Sequence, residues 1–113
     1  MKIKVACDFS TAPGPRKIIE GKYSGELFRT KTLLPRVLEA RDKDCVLTID
    51  LDGTSGFGTS FLEESFGGLI RDDNLNLATL DKVMRIISVE EPGLLDEIRE
   101  YMEDAEKAKR GKL

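Results

Sequence analysis

Val46-Leu47-Thr48-Ile49-Asp50-Leu51-Asp52-Gly53-Thr54-Ser55-Gly56-Phe57-Gly58-Thr59-Ser60-Phe61-Leu62-Glu63-Glu64 decides how this chain is read. An apolar run of strand length closes on two acids, a loop of Gly, Ser and Thr follows, and an apolar pattern with helical spacing begins at Ser60. A strand feeding a helix through a hydroxyl-rich turn is a unit of an open α/β sheet, where function collects beyond the carboxyl ends of the strands. The helix start adds unpaired N–H groups and the positive end of a dipole. Two chemistries are open to the segment: a switch built on the hydroxyls, and phosphotransfer built on the acids.

On the N-terminal side, Ile3, Val5, Cys7 and Phe9 alternate with Lys4, Ala6 and Asp8, which predicts a strand near 3–9. Two prolines around Gly14 stop it, and Ile18-Ile19 reads as a short extended piece. Ser24 is placed to cap a helix over 25–42, with Leu27, Phe28, Leu34, Val37 and Leu38 on its apolar face. Pro35 either kinks that helix or opens a second one. The run Cys45 to Leu51 predicts a central strand with both faces covered. A helix over 60–71 follows, with Gly67-Gly68 allowing close packing. Leu75, Leu77 and Leu80 line a connector or short helical turn. A strand near 84–90 and a helix over 92–109, opened by Pro92, complete the chain. The alternation predicts an α/β fold, a single domain over 1–113 with a mostly parallel sheet and helices packed against it.

Composition narrows the function. The chain has 113 residues, a formal net charge of −3 and no His. The absence of His removes the commonest general base and metal ligand, and with them His-based triads and most zinc sites. The acidic balance gives no nucleic-acid footprint. Cys7 and Cys45 lie in strand-like runs and read as buried, unlinked thiols of a reducing compartment. Neither a signal-peptide core nor a run of membrane-spanning length is present, so the expected location is cytoplasmic, with no membrane partner.

Asp50-Leu51-Asp52-Gly53-Thr54 resembles the opening motif of the haloacid dehalogenase superfamily. The resemblance implies a magnesium phosphatase, Asp50 attacking phosphorus, Asp52 trading the proton, and both holding the metal. The context differs: that family carries the motif on its first strand, and here a strand and a helix precede it. Further along, Ser60-Phe61-Leu62-Glu63 fits a capping box, which predicts Ser60 as the cap of the second helix and leaves Thr59 with no structural duty. A third reading is a nucleotide- or anion-binding module at that helix start.

The segment from Val46 to Arg71 resembles the core of STAS domains (sulfate transporter and anti-sigma factor antagonist), in which a strand leads to adjacent hydroxyls at a helix start. A closer resemblance is to a bacterial STAS-like family of unknown function, through Ser24-Gly25-Glu26 with Phe28-Arg29 and through Ser60-Phe61-Leu62-Glu63-Glu64-Ser65-Phe66-Gly67-Gly68. The likeness implies a non-catalytic regulatory module with no cofactor. It sets Thr59 at the phosphoacceptor, with Ser60 second, and a protein partner such as a histidine-kinase-type ATPase or anti-sigma factor. Phe57, Gly58, Thr59, Ser60 and Glu63 form the expected contact surface. Gly58 stands in place of the family's acid and Phe61 in place of its glycine, which sets a bulky ring where a partner would approach. Arg16 and Arg29 are expected near the loop, to receive a phosphate or to pair with Asp50 or Asp52.

Overall fold

The computed structural model describes residues 1–111. Its order is β1 (Lys2–Lys4), α1 (Val5–Asp8), α2 (25–42), β2 (Leu47–Asp50), α3 (59–71), α4 (Leu77–Val83), β3 (Met84–Ile87) and α5 (Gly93–Gly111). The three strands form one parallel sheet in the order β1-β2-β3, with Ile3 opposite Ile49 and Ile49 opposite Ile86. The fold is α/β, with β2 central.

The strands are shorter than the apolar runs. β1 ends at Lys4, where the Asp8 carboxylate accepts from the Lys4 N–H at 2.7 Å and draws the chain into the turn α1. Cys7 is therefore exposed on that turn, and Cys45 lies half-buried before β2; the two are unlinked, but neither is a core thiol. Ile18–Glu20 forms a 3-10 turn in place of an extended piece.

One face of the sheet, Ile3, Leu47, Ile49 and Met84, is buried. The other carries Lys2, Lys4, Thr48, Asp50, Arg85 and Ile87, all exposed or half-buried. The expectation that β2 is covered on both faces is thus corrected. Right-handed crossovers that advance in one direction deliver their helices to one side of the sheet.

α2 is continuous through Pro35. A π-helical stretch, Phe28–Leu33, precedes the α-helical Leu34–Asp42, and its wider turn accommodates a ring that lacks an N–H. α3 has the same construction, with π-helical Glu63–Gly67 between α-helical turns. Every α3 residue from Glu64 to Ile70 is buried, as in a helix enclosed by its neighbours. Gly25 makes the α2–α3 approach close: a Cβ there would lie 2.7 Å from the Phe61 carbonyl oxygen. Phe28 stacks on Phe61 at 5.7 Å, and Phe9 meets Phe28 edge-on at 5.2 Å.

Candidate functional site

The hydroxyl loop leaves β2 and is pinned at its start. Asp52 accepts from the Val89 and Glu90 N–H groups at 3.1 and 3.0 Å, while the Glu90 carboxylate accepts from the Gly53 N–H. The Ser55 N–H donates to the Thr11 carbonyl at 2.8 Å. Gly53 and Gly56 take φ of 92° and 127°, backbone that side-chain-bearing residues rarely adopt. Between this loop and the start of α5 lies a cleft of about 260 Å³, lined by Asp52, Thr54, Phe57, Ser88, Glu90 and Leu94 among others. The reciprocal Asp52–Glu90 clamp has no periodic signature in the sequence, because it joins two loops 37 residues apart.

The two acids point to different places. Asp50 lies on the open sheet face, directly opposite Lys4, whose ammonium is 3.2 Å away. The Asp52 N–H donates to Asp50 at 2.9 Å. That backbone bond, then Lys4, hold the Asp50 carboxyl below its ordinary range against the opposing effect of burial. Asp52 spends its oxygens on main-chain N–H groups, as above. Each acid is committed to the fold's own donors, and no set of three or more metal-ligating side chains comes together among the described residues. These commitments do not favour the phosphatase reading, which needs both carboxylates for phosphorus and metal.

Thr59 and Ser60 are both exposed. Helix α3 starts at Thr59 with Gly58 as its cap, so Ser60 lies inside the first turn and caps nothing. The capping-box expectation fails because Glu63 is drawn elsewhere: Arg16 and Arg71 both bond its carboxylate, and charge-assisted bonds outcompete a neutral N–H. Burial opposes the ionisation of Glu63, yet those two arginines bring its pKa below the ordinary value. Phe61 is buried in the ring cluster, so its bulk faces the core and not an approaching partner. Phe57 is half-buried, its ring 5.7 Å from that of Phe61, tying the loop to the core.

Arg16 and Arg29 reach neither Asp50 nor Asp52. Arg16 goes to Glu63. Arg29 is buried and donates to Glu64 at 2.9 Å and to Asp73 at 2.8 Å. Gly68 opposes it so closely that a Cβ there would lie 2.6 Å from Arg29 Nε. The buried Ser65 hydroxyl donates to the Gly25 carbonyl at 3.3 Å. Ser24 caps α2, accepting from the Leu27 N–H at 3.0 Å. The two sequence patterns 24–29 and 60–68 are therefore the two sides of one helix–helix seam, locked by a buried ion pair.

No helix among the described residues is long and apolar enough to cross a membrane. No curated protein and no solved structure matches this chain. A family model described as a STAS-like domain of unknown function (DUF4325) matches residues 24–94, from the Ser24 cap through the whole seam to the first turn of α5, and the chain belongs to that family.

Proposed function

We propose that this chain is a non-catalytic regulatory module, read by a protein partner at Thr59 and Ser60, with Thr59 the favoured phosphoacceptor. One observation carries the reading: both hydroxyls are exposed at the start of a helix, on a loop whose base is pinned from two sides, and neither takes part in a hydrogen bond among the described residues. A side chain with no duty in the fold is free to be modified. Phosphorylation would add roughly −1.5 to −2 charge. The positive end of α3 receives that charge, and the neighbouring Glu63 and Glu64 already face Arg16, Lys17, Arg29 and Arg71. The folded module therefore tolerates a phosphate that an apolar interface would not. The kind of partner follows from the STAS likeness: an ATPase of histidine-kinase type or an anti-sigma factor.

The experiment is co-purification from the native host with mass spectrometry of bound proteins and of the intact chain. Thr59→Glu should stay folded by circular dichroism and lose its partner, while Thr59→Ala keeps it. Full partner retention by both Thr59→Glu and Ser60→Glu would sink the reading.

A further inference from the structure

The sheet is parallel throughout, yet only one of its faces is covered. Parallel sheets ordinarily carry helices on both faces. The open face here divides into two unlike halves. On β1 it is cationic: Lys2 and Lys4 both reach solvent. Asp50, the one acid on the face, lies under them at 13% side-chain exposure, 4.0 Å from Lys2 and 3.2 Å from Lys4. One shielded carboxylate answers two ammonium groups, so positive charge is left toward solvent. The chain as a whole carries −3, and this half runs against the sign of the molecule.

Toward β3 the face is apolar. Arg85 turns its guanidinium to the carbonyls of Asp81 and Met84, both at 2.8 Å, which leaves its methylene stem beside the face. Thr48 stands between Lys2 and Arg85 in the register, and its hydroxyl enters no hydrogen bond among the described residues. Ile87 follows Arg85 and is exposed. Val46 before β2 and Val89 beyond β3 add exposed apolar surface at the two ends, Val89 at 75% exposure.

A cationic column beside an apolar one is the complement of an amphipathic helix with acids along one flank. We propose that this face docks an acidic amphipathic helix of a partner protein, which supplies the helical layer that the sheet lacks. A helix lying along the strands sets its carboxylates over Lys2 and Lys4 and its apolar stripe over Thr48, Ile87 and Val89. Nucleic acid is anionic too, but recognition on an open sheet stacks bases on aromatic side chains, and this face has none. In a second copy of the chain, α5 offers an acidic outer side at Asp96, Glu100, Glu103 and Asp104. Leu95 is the only large exposed apolar residue on that helix, so it lacks the stripe that the β3 half requires. The surface shares no residue with the Thr59–Ser60 site, and the two readings stand or fall separately.

Site-directed photo-cross-linking of the full chain in its native host tests the proposal. The photoreactive residue p-benzoylphenylalanine replaces Thr48 at the centre of the face, or Ile87 if the first chain fails to fold by circular dichroism. Mass spectrometry of the adduct identifies the joined peptide. The expected peptide comes from another protein, with Asp or Glu recurring at three- and four-residue spacing along one flank of an apolar stripe. Lys2→Glu reverses an exposed charge on the face and should stay folded. Binding of the identified protein, purified, should weaken by about tenfold or more in the Lys2→Glu chain and should fall as salt is raised. A cross-link to nucleic acid, to a second copy, or to a peptide without that pattern overturns the proposal. So does a chain that cross-links from neither position, or binding indifferent to Lys2→Glu.

Discussion

Arg29 and Glu64 are the two charges buried most deeply, at 6% and 1% side-chain exposure, and they hold each other at 2.9 Å. Desolvating two ions is costly, and removing one of them strands the other. Arg29→Ala and Glu64→Ala should therefore each lose about 3–5 kcal/mol in urea titration. The double variant should lose clearly less than the sum, because the two residues share one interaction; additive losses would show that the pair does not act as a unit. The two serines invite a sharper comparison. Ser24→Ala should cost about 0.5–2 kcal/mol through its lost cap, whereas Ser60→Ala should stay within roughly 0.5 kcal/mol, as an exposed site with no bond to lose. Both serines precede a helical pattern, and the sequence separates them poorly. Ser24 is legible because its cap is local. Ser60 is not, because the fate of Glu63 is settled by Arg16, 47 residues away in sequence. The same holds for Arg16 and Arg29, whose partners are tertiary and leave no local spacing. Thr59 was legible as a residue without structural work, since the helix needs only the backbone of Gly58 to start.

At the scale of elements, the periodicities located the three longer helices and all three strands, overstated the strands, missed the turn α1 and left α4 open between a connector and a short helical turn. Alternation from Ile3 to Phe9 suits a strand, yet β1 has a partner only as far as β2 extends, and a pleat without a neighbour gives way to the turn that Asp8 closes. The apolar run around β2 suggested cover on both faces, but Thr48 and Asp50 belong to the open one; one-sided cover follows from the strand order, which is not written in any single run. Pro35 was ambiguous because its cost depends on the preceding turn, and the π-helical stretch removes the clash. Gly67-Gly68 is a packing device, as paired glycines inside a helical pattern predict. Gly68→Ala should cost about 1–3 kcal/mol, since the new methyl displaces the Arg29 guanidinium from its carboxylates. Gly58→Ala, where a Cβ meets nothing within 4 Å, should be near neutral by the same denaturation assay. Equal losses at the two glycines would mean that the α2–α3 seam is not tightly packed.

Over the whole molecule, the titrating groups set the range of pH in which the fold is stable. The chain has no His, so no imidazole titrates near neutrality. On the acid side, Asp50 and Glu63 have pKa values lowered in the folded state from 3.8 and 4.5. Groups depressed in this way contribute stability that is complete above their unfolded values and is lost as pH falls through their folded ones. On the alkaline side, the Lys4 pKa is raised above 10.5 by Asp50, and burial with a 2.7 Å bond to Glu97 pushes Tyr101 up to about 12. Groups raised in this way contribute stability that is complete below their unfolded values, 10.5 and 10.0, and is lost as pH rises through the folded ones. Urea midpoints should fall below about pH 4 and again above about pH 10, the ordinary ranges of carboxylates and of Lys and Tyr. Asp50→Asn should flatten the acid limb and trim the alkaline one, because Asp50 is the charge that raises Lys4. Tyr101→Phe should flatten the alkaline limb alone. If Asp50→Asn leaves the acid limb unchanged, the carboxylate on the open sheet face is not held by the Asp52 N–H and Lys4 in solution, and the commitment of Asp50 to the fold, which does not favour its use in phosphotransfer, falls with it.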